Sequence, residues 1–294
     1  MNERDLRYFC YLVETGNYTE TAEQFHVTQP AISAALKRLE TEYGTTLLTQ
    51  RNHRAKLETT PAGRVLYVKA TRLIKELAQV AVEVKHANDA QVRLGFSTVA
   101  GGIWLPRVVK RYLKMQLLDQ VTTTVADSEQ LLAELREGKL DAAVFSTLVP
   151  EHSSDLRVTT LEEHQLCLLV NRNNPLSQLE TVHATDLKDV PVIARPKHSL
   201  PRTALEQWCR RGRVRPDIVY EAETNALVEG LVAQDVGVGL VIDHSVVLSA
   251  SVVSIPLAPK ERVDCFMQLA VRRSFLPNAK QQQCINVLKD VKED

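Results

Sequence analysis

The chain has 294 residues, of which 44% are apolar, 24% charged and 5% aromatic. That balance excludes disordered, collagen-like and mucin-like chains, and at roughly 100–200 residues per domain it predicts about two domains. Lys plus Arg and Asp plus Glu each total 36, so a whole-chain charge argument for nucleic acid fails and any basic patch is local.

Residues 1–60 carry short helical patterns. Leu6, Phe9, Cys10 and Val13 recur at helical spacing, and Gly16 offers a stop. Thr19 is expected to cap a second helix bearing Ala22 and Phe25. Thr28 is expected to cap a third, with Pro30 in the first turn, where a missing N–H costs little. Thr60 and Pro61 repeat that chemistry. In the helix they open, Leu66, Ala70, Leu73, Leu77, Val80 and Val84 alternate spacings of four and three. This is a heptad seam, better suited to a pairing helix than to one packed on its own domain. The polar stretch 86–91 reads as a linker.

From Val92 the pattern becomes strands alternating with helices. VRLGFS reads as a strand, TVAGG as a loop and 104 to about 115 as a helix. VTTTV, AAVFS, QLCLLV, PVIA, DIVY, VGLVI and DCFMQLAV are further strands. Helices are expected near 128–138, 200–211, 226–234 and 278–291. Such alternation implies a mostly parallel sheet with helices on both faces.

No stretch approaches the roughly 18–20 apolar residues of a membrane span, and the N-terminus lacks the long apolar run of a secretory signal. The expectation is a cytoplasmic protein with no membrane partner. Cys10, Cys167, Cys209, Cys265 and Cys284 are far apart and without C-x-x-C spacing, which favours buried free thiols over disulfides or zinc. The histidines have no metal spacing, Gly237-x-Gly239 lacks the rest of a dinucleotide fingerprint, and no catalytic motif stands out. No enzyme activity, metal or cofactor is expected. The basic run Arg210, Arg211, Arg213 and Arg215 reads as a solvated helix end.

The richest constellation is 21–51. Ala22 supplies the small residue where two helices cross, and Val27 the plug in the turn. On the third helix Gln29, Ser33 and Lys37 share one face, opposite Ile32, Leu36 and Leu39. An amide and a hydroxyl suit base edges in a major groove, and a lysine suits a phosphate. Lys37, Arg38, Arg51, Arg54 and Lys56 against Glu40 and Glu42 leave this segment basic. By spacing alone, the same face also suits plain solvation.

Thr28-Gln29-Pro30-Ala31-Ile32-Ser33, then Leu39-Glu40, Gly44, Arg51 and Thr60-Pro61-Ala62-Gly63, resemble the N-terminal domain of LysR-type transcriptional regulators. More weakly, 138–143 and 230–242 resemble elements of that family's second domain. The resemblance implies an N-terminal all-α winged helix-turn-helix with a long linker helix, followed by an α/β two-lobed, periplasmic-binding-protein-like effector domain. The expected boundaries are 1–60, 61–90 and 91–294, with lobe I about 91–162 and 268–294 and lobe II about 163–267. The crossover strands are placed near 161–164 and 266–270. Carried onto this sequence, the DNA-binding residues are Thr28, Gln29, Pro30, Ser33 and Lys37, with Arg51 and Arg54 on the wing. Ala34 departs from the family, many of whose members carry Arg there, which puts one contact in doubt. The implied partners are double-stranded promoter DNA, a small-molecule effector and further copies of the chain, as a dimer through the linker helix and a tetramer beyond it. RNA polymerase remains open as another partner.

In open α/β sheets ligands bind outside the carboxyl ends of strands, near helix N-termini. Those ends are Ser97, Thr98 and Val99; Asp127 and Ser128; Ser146 and Thr147; and, in lobe II, Arg195, Thr224 and Asn225. Hydroxyls, backbone N–H groups and an arginine suit a carboxylate. The segment 4–40 is similar to activators of malolactic fermentation within the family, implying a small dicarboxylate such as malate. The alternative is a small-molecule-binding protein or enzyme whose N-terminal helices only dimerise it.

Overall fold

In the computed structural model, which describes residues 2–49, 57–86 and 91–291, the chain divides into two units, Met1–Asn88 and Asp89–Asp294. In the first, α1 (Glu3–Thr15) starts behind Asn2 and stops at Gly16, whose φ of 65° is cheap for glycine. Helix α2 (Tyr18–Gln24) begins earlier than Thr19 capping would allow. Its cap is Asn17, whose Oδ1 accepts from the backbone N–H of Thr19 at 2.9 Å and of Glu20 at 3.3 Å. Helix α3 (Gln29–Tyr43) follows a turn in which His26 has φ 53°. Thr28 occupies the cap position of α3 but its side chain makes no capping hydrogen bond. Strands β1 (Leu48–Thr49) and β2 (Glu58–Thr59) form the antiparallel base of the wing.

Helix α4 (Pro61–His86) is fastened at its start. Thr60 Oγ1 accepts from the Gly63 N–H at 3.0 Å and donates to the Thr46 carbonyl at 2.8 Å. A Cβ on Gly63 would run into the backbone carbonyl oxygen of Leu47. That carbonyl already accepts from the Thr60 N–H at 3.0 Å. The predicted seam then splits. Ala70 is fully buried in the core with Leu6, Phe9, Leu12, Ile32 and Leu39, and Leu66 packs on the same core. Leu73, Leu77, Val80 and Val84 are 41%, 45%, 52% and 67% exposed.

The second unit comprises β3 (Val92–Ser97), α5 (Thr98–Ile103), α6 (Leu105–Lys114), β4 (Val121–Ala126), α7 (Ser128–Arg136), β5 (Ala142–Thr147), β6 (Leu156–Asn171), β7 (Pro191–Ala194), α8 (Leu200–Arg211), β8 (Asp217–Glu221), α9 (Asn225–Ala233), β9 (Val238–Ile242), β10 (Val252–Pro256), β11 (Asp264–Arg272) and α10 (Ala279–Asp290). Its strands run in the order β4-β3-β5-β11-β6-β9-β7-β8, with β10 against β6. The outer pairs are parallel, but β11 pairs antiparallel with both β5 and β6, and β6 antiparallel with β9. The long β6 exchanges β11 for β9 between Gln165 and Leu166. These two strands therefore carry the chain from one lobe to the other and back.

Two further sequence expectations need correction. The stretch TVAGG is a helix, α5, because Ser97 caps it by accepting from the Ala100 N–H at 3.2 Å. Strand β10 lies in a stretch that the sequence pattern does not mark as a strand. Two motifs acquire a physical reason. Asp141, 1% exposed, accepts from the Arg93 backbone N–H at 2.8 Å and from its guanidinium at 2.7 Å, clamping β5 to β3. Gly239 lets α9 lie against β9, since a Cβ there would strike Val228.

Gly63→Ala is expected to destabilise the first unit by about 1–3 kcal/mol, because a backbone carbonyl cannot move aside as a side chain can. Thermal unfolding of the full-length protein followed by circular dichroism checks this as a lowered first transition.

Candidate DNA-reading helix and ligand cleft

Along α3 the division of faces follows the spacing. Ile32, Ala35, Leu36 and Leu39 are at most 9% exposed, whereas Thr28, Gln29, Pro30, Ser33 and Lys37 all face solvent. The turn before α3 is closed by the Val27 N–H donating to the Ala22 carbonyl at 2.9 Å. At the other end Glu40 Oε1 accepts from the Leu47 N–H at 2.8 Å, tying α3 to the wing base. Arg51 and Arg54 lie outside the described residues.

In the second unit a cavity of about 620 Å³ opens between the lobes. Of the residues expected there, Ser97, Thr98, Val99, Asp127, Ser128, Ser146, Arg195 and Asn225 line it. Thr147 and Thr224 do not. Side chains alternate across a strand, so with Ser146 turned into the cleft Thr147 points elsewhere and bonds Gln268 Oε1 at 3.2 Å. Thr224 caps α9, accepting from the Leu227 N–H at 3.1 Å. The sequence reading missed Lys197, His198, Ser199 and Leu200, which also line the cavity. The signal was present: Ser199 followed by Pro201 is the cap-then-proline pattern that marks the starts of α3 and α4, and Ser199 does cap α8.

The starts of α5, α7, α8 and α9 all meet this cavity. Ser97 is 4% exposed and already engaged, with Ser146 Oγ at 3.3 Å and with its cap. Arg195 is the unusual group. It is 7% exposed, and among the described residues its Nε has no hydrogen-bond partner and its Nη1 donates only to the Asn225 amide oxygen at 3.2 Å. Burial pushes its pKa down, and Glu223 acts on it only coulombically. Asn225 in turn donates to Ser245 Oγ at 2.9 Å. A guanidinium desolvated without a carboxylate partner is costly unless something anionic completes it. Lys197 adds a positive charge to the same wall, while Asp127 and Glu129 stand on the opposite one.

All five cysteines are buried and free. Burial pushes the Cys167 and Cys209 thiols up to about 11 and Cys265 to about 12, and raises Cys10 and Cys284 as well. Since the thiolate is the reactive form, none of the five is expected to react with Ellman's reagent within minutes in the native protein at pH 8, and all five in guanidinium chloride.

Comparison with known proteins places both units. The family model for the lysR-family bacterial regulatory helix-turn-helix protein matches residues 3–64, and that for the LysR substrate binding domain matches residues 85–293. The HTH-type transcriptional regulator AlsR of Bacillus subtilis is 28% identical over 246 residues, spanning 82% of this chain and 80% of its own. The malolactic fermentation system transcriptional activator of Lactococcus lactis is 21% identical over 300 residues, spanning 99% of each. Among solved structures, an OxyR variant from Corynebacterium glutamicum with H2O2 bound shares the fold at a TM-score of 0.56 and 21% identity, over 99% of this chain and 92% of that one. The chain belongs to the LysR family of transcriptional regulators, with a DNA-binding helix-turn-helix at its N-terminus and a two-lobed effector-binding unit behind it.

Proposed function

We propose that the effector is a small carboxylate, held between the lobes with one carboxylate group on Arg195. The supporting observation is the buried Nε of Arg195, which has no hydrogen-bond partner among the described residues. The first turn of α8, with Lys197 beside it, adds positive potential to that wall. Thr98 and Ser128, across the cavity, are suited to a second polar group of the ligand. The likeness to the malolactic activator makes malate the first candidate. A ligand spanning the cleft acts by binding one lobe arrangement more tightly than another, and so by shifting the DNA-binding state.

On the DNA side, Thr28, Gln29, Pro30, Ser33 and Lys37 are the proposed groove and phosphate contacts, joined by Arg51 and Arg54. The exposed Leu73, Leu77, Val80 and Val84 of α4 favour pairing with a second copy. That dimer and a tetramer beyond it, RNA polymerase as a further partner, the cytoplasm as location and a role without catalysis complete the reading. A peroxide sensor is the rival that the OxyR likeness raises. The five buried, high-pKa thiols speak against it, since a sensor cysteine is exposed and of low pKa.

Thermal melts of the full-length protein against malate, citrate, succinate and aromatic acids test the effector. A ligand at about 100 times its Kd stabilises the folded state by about 2.7 kcal/mol. The expected result is a shift with one small carboxylate that Arg195→Gln abolishes while leaving the unliganded melt within a few degrees. No shift with any acid overturns the reading. Leu77→Glu is expected to weaken self-association at least tenfold by sedimentation, because it puts a charge into an apolar seam.

A further inference from the structure

Helix α3 carries two adjacent cations, Lys37 and Arg38, which the sequence counts equally toward a basic DNA-facing segment. The structure separates them. Among the described residues Lys37 has no acidic partner, and its side chain is exposed. Arg38 is committed to Asp5 on α1, 33 residues earlier: Nε donates to Oδ2 at 2.9 Å and Nη2 to Oδ1 at 2.6 Å. The carboxylate side chain is 6% exposed and that of Arg38 58%. The guanidinium therefore lies over a buried charge, and among the described residues it is the only donor to that carboxylate.

This geometry has two consequences. The positive charge of Arg38 is offset by a carboxylate in direct contact, so little of it remains for a phosphate. The two-pronged contact also fixes rotation, which apolar packing of Ile32, Leu36 and Leu39 controls loosely. One residue corresponds to about 100° around a helix, so anchoring Arg38 on α1 sets the direction in which Gln29, Ser33 and Lys37 point. We propose that Asp5 and Arg38 are a positioning pair for the DNA-reading helix, and that Arg38 is not itself a phosphate contact. This rests on the reading of α3 as the helix that enters the groove.

The test uses the full-length protein and two duplexes: one selected by the wild-type protein from a random-sequence library, and a scrambled one of equal length. Affinity is measured against salt, at a temperature where circular dichroism shows every variant folded. Lys37→Gln is expected to reduce the slope of log K against log salt by about 0.9, as for one lost phosphate contact. Arg38→Gln, Arg38→Lys and Asp5→Asn are expected to leave the slope unchanged. Each lowers the selected-to-scrambled affinity ratio at least about fivefold, the smaller end of one lost base contact. Arg38→Lys discriminates most sharply, since lysine keeps the charge but not the fork. The double variant Asp5→Asn/Arg38→Gln is expected to lose no more than either single one, as residues of one unit do. It also removes the unpaired buried charge, so it serves where a single variant fails to fold.

A slope reduced by about one in Arg38→Gln overturns the proposal, because Arg38 is then a phosphate contact. An unchanged ratio in all folded variants overturns it too, since the pair then serves stability alone. A slope untouched by Lys37→Gln overturns the reading of α3 and the proposal with it. Loss in the Arg38 and Asp5 variants with a normal Lys37→Gln effect supports both.

Discussion

Strands β6 and β11 are the constraint on which the effector unit depends. They lie side by side and antiparallel along the first part of β6, which then exchanges β11 for β9. Both lobes are thereby fixed to one hydrogen-bonded ribbon. Parallel βα units on either side of it deliver their strand ends, and hence their helix starts, to one cleft. Four helices, α5 and α7 from one lobe and α8 and α9 from the other, contribute their first turns to that cavity. The arrangement concentrates backbone N–H groups and the positive ends of helix dipoles where Arg195 is already buried.

The N-terminal unit meets a different requirement, that of presenting a short helix rigidly. Helix α3 is held along its length by apolar contacts, near its C-terminal end by Glu40 bonding to the start of the wing, and sideways by Asp5. Helix α4 is fixed to the same wing base through Thr60 and Gly63. The exposed groups of α3 are thus the free remainder of a frame whose other contacts are used up. Burial decides which residues hold the helix and which are left facing solvent.

Much of this was legible in the sequence because it is periodic or local. The faces of α3 follow from helical spacing, and most of the cleft follows from the rule that ligands sit beyond strand ends. What escaped needed information that spacing does not carry. Two glycines made α5 look like a loop, although the Ser97 cap was there to be seen. The position of Thr147 at a strand end suggests the cleft, while the pleat turns it away. The seam of α4 is one continuous pattern in sequence, and only the position of the core shows that Ala70 is covered within the unit and Leu77 is not. Arg38 counted as a free cation because its partner lies 33 residues away.

The scattered cysteines have a practical consequence. Each sits in a different element: Cys10 in α1, Cys167 in β6, Cys209 in α8, Cys265 in β11 and Cys284 in α10. Because all five are at most 7% exposed in the folded state, modification at each is limited by how readily its element opens. Labelling rates resolved by peptide mapping therefore report local opening free energies at five separate points of a single unmutated chain. The crossover strands, the lobe helices and the DNA-binding unit can each be followed in this way, with and without ligand.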